Sequence, residues 1–209
     1  LKKNKILSPL ILITSHKLLV MQMKKLKFKK KIKLLDPLLL EKYKLDNKSI
    51  NLINVEYNPN KAFEKISTKS TIFIENSFKL AFKVIKKYKF QKFINGPISK
   101  KSFLNKKFLG ITEYISKRFK TKNTCMLIYN KNLSVCPITT HLPLKLVTKQ
   151  INKKNIYEKA NLIKIFYKKH FNINPKIAVL GLNPHCESIH KFNEDDKIIK
   201  PAINNPALT

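Results

Sequence analysis

A short apolar run that leads through a glycine into a polar turn is the feature that most constrains the fold of this chain. It occupies residues 176–187 and reads K-I-A-V-L-G-L-N-P-H-C-E. Residues 177–180 predict a buried strand, and the turn after Gly181 carries His185. Because ligands bind outside the carboxyl ends of the strands in an open α/β sheet, this turn is a candidate ligand loop.

A second stretch has the same form. Residues 133–135 are apolar, and the segment C-P-I-T-T-H follows them and ends on His141. Neutral imidazole is a common ligand of divalent metal ions, so two histidines at separate strand ends can converge on one ion. Two ligands are too few for a protein metal site, and a third must come from elsewhere. The spacing alone is equally compatible with His141 and His185 being ordinary loop histidines.

Apolar runs of strand length alternate with segments of helical periodicity along the rest of the chain. The predicted strands span residues 10–14, 32–35, 50–55, 90–94 and 124–129. The predicted helices span residues 16–24 (capped by Ser15), 71–88, 109–119, 143–151, 155–170 and 194–203. This alternation predicts the α/β fold class, with the strand at 10–14 buried and parallel.

Glycine is rare in this chain, which makes each glycine informative. There are 3 glycines in 209 residues, whereas average usage of about 7% would give roughly 15. Gly96, Gly110 and Gly181 each lie beside a polar motif. They predict backbone positions where a side chain does not fit, although ordinary turns explain any one of them equally well.

The net charge of +32 points first to a nucleic acid or an anionic membrane surface. Arg118 is nevertheless the sole arginine among 44 basic residues, although arginine is favoured for bidentate readout of bases and phosphates. The lysines are spread along the whole chain among many Ile and Asn residues. We interpret the charge as a compositional bias with solvated lysines, and we expect no nucleic-acid partner.

The cysteines and the apolar runs indicate the compartment. Cys125, Cys136 and Cys186 are odd in number and lack C-x-x-C spacing, which indicates neither a disulfide framework nor a thiolate zinc site. No apolar run approaches the roughly 18 residues of a membrane span. We therefore predict a cytoplasmic protein with no membrane partner, in which Cys186 is a small, partly buried thiol.

Five motifs in a fixed order carry a family resemblance. They are N-G-P-I-S-K (95–100), G-I-T-E-Y (110–114), T-T-H-L-P-L (139–144), V-L-G-L-N-P-H-C-E (179–187) and E-D-D-K-I-I-K-P-A-I (194–203). In this order and at these separations the chain resembles the 4-hydroxythreonine-4-phosphate dehydrogenase family of pyridoxal phosphate biosynthesis. The resemblance covers nearly the whole chain and is weakest over residues 1–90.

The resemblance implies an architecture. The fold would be α/β, with the two-domain α/β/α arrangement of the isocitrate and isopropylmalate dehydrogenases, incomplete in this chain. Residues 1–100 would be part of the first domain. Residues 101–209 would be part of the second domain, which binds metal and substrate and forms the dimer.

The resemblance also implies an activity. The family oxidises 4-phosphooxy-L-threonine with NAD, and the resulting β-keto acid loses carbon dioxide to give 3-amino-2-oxopropyl phosphate. The expected cofactors are NAD or NADP and a divalent metal, namely Zn, Mg or Co. The expected partners are this phosphorylated hydroxy-amino-acid substrate and a second copy of the chain, in a homodimer that shares its active site across the interface.

Four residues match the family's site motifs. His141 in T-T-H and His185 in L-N-P-H match its metal histidines. Ile111 and Thr112 match the substrate-binding pair of its usual G-H-T-E motif, with Ile111 standing where the family has His. The resemblance assigns no catalytic group beyond the metal site and no cofactor-binding residue.

The departures from the family predict an internal fragment of a protein of roughly 320 residues, two packed domains by length. The family's N-terminal G-D-P-A-G-I-G-P-E segment is absent from the sequence, and so is the Y-H-D-Q segment that supplies the third metal histidine from the partner subunit. We expect the fragment alone to be inactive.

Two alternative functions remain open. Ile111 removes a hydrogen-bond donor from the family's substrate pair, which favours a dehydrogenase of a related phosphorylated hydroxy acid such as threonate or erythronate phosphate. The alternative of another class is a basic nucleic-acid-binding protein without catalysis, for which salt would weaken binding steeply.

Overall fold

The structure is a computed structural model, and the chain forms two compact units, Leu1–Gly110 and Ile111–Thr209. The described residues are 8–104, 107–121, 123–186 and 189–204. The assignment of residues 1–100 and 101–209 to parts of two domains stays a prediction. Among the described residues, no helix has the length and apolar content needed to cross a membrane.

The first unit is built on a three-stranded parallel sheet. Its strands are β1 (Ile11–Thr14), β2 (Ile32–Leu34) and β3 (Ile50–Asn54), in the order β1-β3-β2. Leu52 of the central strand is paired with Leu12 on one side and Leu34 on the other, and its side chain is fully buried. The three strands predicted at 10–14, 32–35 and 50–55 are confirmed, and so is the mixed α/β class. The predicted burial of the first strand is wrong, since Leu12 is 39% exposed and no residue of β1 is fully buried.

Ser15 ends the first strand and caps the first helix, as its position predicted. The Ser15 hydroxyl accepts a hydrogen bond from the Leu18 amide at 3.3 Å and donates to the Tyr57 carbonyl at 3.1 Å. Helix α1 (His16–Lys25) follows and begins the crossover that a parallel sheet requires. Only 2% of Ser15 is exposed, so the cap also holds the strand end in the interior.

Helix α2 (Thr68–Tyr88) packs on the sheet and closes the core of the first unit. Its Val84 is buried in one cluster with Leu35, Leu40 and Ile53. Leu40 begins a short 3-10 helix, Leu40–Lys42. The periodicity predicted this helix over 71–88, and the Ser67 cap extends it by one turn at its start.

The second unit consists of helices around a small apolar core. Its helices are α4 (Ile111–Phe119), α5 (Leu144–Gln150), α6 (Lys153–Phe171) and α7 (Lys200–Ile203), numbered after α3 (Lys100–Phe103) of the first unit. Ile151, Ile156, Ile199 and Ala202 are buried together, and we call them the second-unit core. The helices predicted at 109–119, 143–151 and 155–170 are confirmed with shifts of two residues or fewer at each end.

A wide π-helical turn, Asp195–Ile199, leads into α7. Its last hydrogen bond joins the Lys200 amide to the Asp195 carbonyl, one residue farther back than in an α-helix. Pro201 follows directly and has no amide proton to continue the regular ladder. The helix predicted over 194–203 is therefore present, in two helical forms.

Four helices end at a residue with left-handed backbone that is not glycine. These residues are Lys27 after α1, Lys89 after α2, Lys120 after α4 and Asn172 after α6, with φ values between 51° and 55°. Glycine usually fills this position because it has no Cβ to collide with the backbone. The scarcity of glycine in the sequence is thus visible at the helix ends.

Four predicted strands do not form ladders within the described residues, and one of them is the stretch 133–135 that precedes the T-T-H motif. Residues 124–129 make only one isolated bridge, between Ile128 and Val135, and residues 90–94 and 177–180 pair with no described strand. Apolar alternation predicts an extended backbone, but a strand also needs a neighbour for its amides and carbonyls. Ile128 is 60% exposed and Leu180 is 85% exposed, so these segments carry exposed apolar side chains and are not part of a sheet in the described part of the chain.

Candidate functional site

The turn that carries His185 is tied to a buried carboxylate. Asp195, which is 3% exposed, accepts a hydrogen bond from the Leu182 amide at 3.2 Å. Within the turn, the amides of His185 and Cys186 donate to the side chain and the carbonyl of Asn183, at 3.0 and 2.9 Å. The turn therefore has a defined shape, while the His185 side chain remains exposed.

Gly181 is the position at which this turn comes closest to its surroundings. A Cβ atom at Gly181 would lie 2.4 Å from Cys186 Sγ, 2.7 Å from Asp195 Oδ1 and 3.0 Å from the Asn183 carbonyl oxygen. The prediction that glycine marks a place where no side chain fits is confirmed here. It is wrong at Gly96, where a Cβ would meet nothing within 4 Å.

His141 lies on a loop with an unusual backbone. Its φ of 56° is in the left-handed region, which non-glycine residues rarely adopt. The side chain of His141 is exposed. Cys186, the neighbour of His185, has a φ of 55°. Strained backbone of this kind is concentrated at functional sites, because only the surrounding structure can maintain it.

A hydrogen bond joins the loop of His141 to the first turn of α4. The Thr140 hydroxyl donates to Glu113 Oε1 at 3.3 Å. Ile111 and Thr112 begin the same helix and are half-buried. The structure therefore connects the T-T-H motif with the G-I-T-E-Y motif, 27 residues earlier in the chain.

The second carboxylate oxygen of Glu113 is buried without a hydrogen-bond partner in the described part of the chain. Oε1 of the same carboxylate accepts from Thr140. The sequence did not single out Glu113, although it belongs to the G-I-T-E-Y motif. Its position in the first turn of a helix was the available signal, since acidic residues favour that turn.

The two histidine loops start from segments that pack on the same core. Ile138, three residues before His141, and Val179, six residues before His185, are both packed against the second-unit core. The structure thus fixes the beginning of both loops on one hydrophobic cluster. This common attachment is the main spatial relation between the two predicted metal ligands.

The donor atoms of His141 and His185 suit a borderline divalent ion, and they are two of the ligands that such a site needs. Among the described residues, no group of three or more His, Cys, Asp and Glu side chains is arranged to hold a metal ion. Glu187, at the end of the same motif, lies outside the described residues. The metal role of both histidines and the substrate role of Ile111 and Thr112 stay predictions.

The chain is an α/β protein, and its fold is similar to that of solved dehydrogenases. A structure of 4-hydroxythreonine-4-phosphate dehydrogenase from Klebsiella pneumoniae is similar with a TM-score of 0.75 and 18% identity, over 92% of this chain and 61% of that chain. A structure of a 4-hydroxythreonine-4-phosphate dehydrogenase from Burkholderia phymatum gives 0.73 and 18%, over 92% and 59%. At this level of identity the likeness shows the fold.

Sequence comparison identifies the family. The family described as pyridoxal phosphate biosynthetic protein PdxA matches residues 5–207, and the chain belongs to this family. The 4-hydroxythreonine-4-phosphate dehydrogenase of a Sulfurihydrogenibium species is 37% identical over 158 residues, which are 74% of this chain and 48% of the relative. The enzyme of that name from Neisseria meningitidis serogroup B is 41% identical over 100 residues, 47% of this chain and 30% of the relative. The chain thus spans about half the length, or less, of these curated relatives.

Proposed function

We propose that this chain is the metal-binding and substrate-binding part of an NAD-dependent 4-phosphooxy-L-threonine dehydrogenase. The observation that supports the proposal is the packing of Ile138 and Val179 against one core, which attaches the beginnings of the His141 and His185 loops to the same hydrophobic cluster. Family membership over residues 5–207 supports it. The proposed product is 3-amino-2-oxopropyl phosphate, formed by oxidation and loss of carbon dioxide.

The protein's own groups have distinct tasks in this proposal. The imidazoles of His141 and His185 would hold a divalent ion, which would lower the pKa of the substrate hydroxyl and offset the charge that develops on decarboxylation. The protein would orient the reacting carbon towards NAD or NADP, which would supply the hydride acceptor. Glu113 holds Thr140, and through it the backbone next to His141, in one position.

Ile111 and Thr112 would make different kinds of contact with the proposed substrate. The Thr112 hydroxyl can donate and accept a hydrogen bond, whereas Ile111 offers only apolar contact. Both residues are half-buried at the start of α4. A substrate group held by Thr112 would therefore meet an apolar neighbour where the family pattern has a donor.

We extend the proposal to the whole protein. Its architecture would be the two-domain α/β/α arrangement of the isocitrate and isopropylmalate dehydrogenases, and it would work in the cytoplasm as a homodimer whose partner subunit completes the metal site. The likeness to the two solved dehydrogenases supports the architecture. The two-ligand set of this chain supports a site that needs a further ligand.

The test compares His141→Ala and His185→Ala with His170→Ala as the matched control, since His170 lies on α6 beside the Phe166 ring. Calorimetric titration with Zn²⁺ should show weaker binding for the first two variants and no change for the control. In the full reading frame that encodes this chain, the first two should also abolish NADH production. Metal-dependent NADH production retained in both would contradict the proposal.

A related phosphorylated hydroxy acid is the second candidate substrate, and Ile111 is the observation that favours it. A panel of 4-phosphooxy-L-threonine, threonate phosphate and erythronate phosphate distinguishes the two candidates by kcat/KM. Ile111→His should raise kcat/KM for 4-phosphooxy-L-threonine relative to the other two. An Ile111→His variant with an unchanged ranking would exclude Ile111 as a determinant of substrate choice.

We also propose that nucleic acid is not a partner. The sole arginine, Arg118, lies over the Tyr114 ring at 5.2 Å, where it makes a cation–π contact within α4. Binding to duplex DNA should therefore be weak and should not discriminate between sequences at physiological salt. Sequence-specific binding that persists at that salt concentration would favour the nucleic-acid alternative.

A further inference from the structure

Cys125 and Cys136 lie on the two arms of a short hairpin in the second unit. The hairpin is closed by two backbone hydrogen bonds between Ile128 and Val135, of 2.8 and 3.0 Å. In this antiparallel register Cys136 faces Leu127, so Cys125 is its diagonal neighbour on the same side. Both thiols are half-buried.

The two cysteines interact although they are diagonal neighbours and not directly opposite each other. Diagonal neighbours in a ladder have Cα atoms about 7–8 Å apart, but here the ladder stops at the single bridge between Ile128 and Val135. A hydrogen bond between the two thiols lowers the pKa of Cys125 and raises that of Cys136. The Cys136 sulfur also lies 3.9 Å from the Pro137 carbonyl oxygen. Both cysteines are reduced.

Both arms of the hairpin are attached to the same helix. The Lys159 ammonium donates to the Thr124 carbonyl at 3.3 Å, and the Tyr167 hydroxyl donates to the Ser134 hydroxyl at 2.8 Å. Lys159 and Tyr167 both belong to α6. Because one rigid element holds the two arms, the approach of the sulfurs is a fixed property of the second unit.

A cavity lies beside the hairpin. A cavity of about 230 Å³ is lined by Thr124, next to Cys125, by Ile138, two residues after Cys136, and by Lys159. Lys159 contributes a positive charge that acts on both sulfurs.

We propose that Cys125 and Cys136 are a dithiol that a low-molecular-weight disulfide oxidises to an intramolecular disulfide. This modification is independent of the dehydrogenase function, and it adds a redox-active site to the second unit. The reacting groups of the protein are the two cysteine sulfurs, and the small disulfide is the oxidant.

The hydrogen bond between the thiols decides which sulfur reacts first. Donation from Cys136 lowers the pKa of the Cys125 thiol to about 6, and the Lys159 charge lowers it further against the effect of partial burial. The same hydrogen bond raises the pKa of Cys136. At neutral pH, Cys125 is therefore the thiolate that attacks.

The proposed reaction has two steps. The Cys125 thiolate attacks one sulfur of the small disulfide, the S–S bond of that molecule breaks, and one small thiolate leaves with the proton of Cys136. Cys136 Sγ then attacks Cys125 Sγ in the mixed disulfide, the bond from Cys125 to the small sulfur breaks, and the Cys125–Cys136 bond forms. The second small molecule leaves as a thiolate, which takes a proton from solvent. Two protein thiols are oxidised, and one small disulfide is reduced to two thiols.

The test exposes the folded 209-residue chain to oxidised glutathione and maps the products by mass spectrometry without reduction. Of the 3 cysteines, two should lose their thiols, joined in one cross-linked peptide pair, with Cys186 retained. The control Cys186→Ser should lose both of its thiols to the same cross-link. Cys136→Ser should stop at glutathione bound to Cys125, and dithiothreitol should restore all thiols.

Three results would overturn the proposal. The first is a wild-type chain that stops at glutathione on Cys125, as in Cys136→Ser. The second is a predominant cross-link that involves Cys186 or two chains. The third is a folded chain that keeps all its thiols under conditions in which the urea-unfolded chain forms disulfides.

Discussion

Gly181→Ala tests whether the close contacts of the His185 turn determine its stability. The added Cβ would lie 2.4 Å from Cys186 Sγ and 2.7 Å from Asp195 Oδ1, whereas ordinary contacts are 3.4 Å or longer. The Cys186 side chain is exposed and can rotate away. The Asp195 carboxylate is 3% exposed and already bonded to the Leu182 amide, so it has little room to move.

The expected loss of stability follows from these two contacts. Overpacking of a well-packed site costs about 1–3 kcal/mol, and losing a hydrogen bond to a charged group costs about 1.5–3 kcal/mol. The reduced entropy of the unfolded chain returns about 0.4–1 kcal/mol, since the φ of Gly181 is not in the left-handed region. If Asp195 moves only partly, the net loss is about 2 kcal/mol, which lowers the melting temperature by about 4–8 °C at this chain length.

Gly96→Ala is the matched control, because its Cβ would meet nothing within 4 Å. It should leave the melting temperature unchanged or raise it slightly through the same entropy effect. Differential scanning calorimetry measures both variants and resolves the two units where they melt separately. Gly181→Ala combined with Cys186→Ala should recover only part of the loss, because the contact with Asp195 remains.

Equal melting temperatures for Gly181→Ala and Gly96→Ala would refute this reasoning. Complete recovery in the double variant would assign the whole effect to Cys186 and would remove Asp195 from the explanation. Either result would show that the turn is looser than its hydrogen bonds imply.

Two further predictions concern the first unit. The amides of Asn60 and Lys61 and the Tyr57 hydroxyl donate to Glu64 and lower its pKa. The stabilisation from the Glu64 carboxylate is complete above the ordinary pKa of Glu and is lost as the pH falls through the lowered pKa. As the pH falls from about 6 to about 3, the wild type should therefore lose more free energy of unfolding than Glu64→Gln in urea titrations. A parallel loss in both proteins would contradict this. The capping box of α2 joins the Ser70 amide to the Ser67 hydroxyl at 3.2 Å and the Ser67 amide to the Ser70 hydroxyl at 2.9 Å. Ser67→Ala should therefore cost about 1 kcal/mol in the same titrations, and Ser67→Asp, which keeps an acceptor, should cost less. Identical midpoints for the two Ser67 variants would show that the cap contributes little.

The sequence predicted most of the first unit because its signals are local. Ser15 identified the start of α1, and apolar periodicity identified α2 and the strands of the sheet. In the second unit the helices were predicted for the same reason. The strands predicted at 124–129 and 177–180 do not form ladders in the described part of the chain, because an apolar run does not specify the neighbour that a ladder needs.

The relations within the candidate site are non-local, so a single sequence could not reveal them. The bond from Thr140 to Glu113 spans 27 residues, and the contact of Cys125 with Cys136 depends on the Ile128–Val135 bridge. The odd number of cysteines and the lack of C-x-x-C spacing indicated neither a disulfide framework nor a thiolate zinc site. The predicted partial burial of Cys186 is wrong, since Cys186 is exposed. Gly181 is the exception, since scarcity alone indicated its close packing.

The lysines with left-handed backbone at the helix ends link the composition of this chain to its free energy of unfolding. Lys27, Lys89 and Lys120 each adopt a backbone that costs an L-residue about 1–2 kcal/mol and costs glycine almost nothing. Together they amount to about 3 kcal/mol or more, a substantial fraction of the 5–15 kcal/mol that keeps a typical domain folded. The scarcity of glycine in this chain thus lowers stability through the backbone at three helix ends. Replacing these lysines with glycine is accordingly a direct route to a more stable protein.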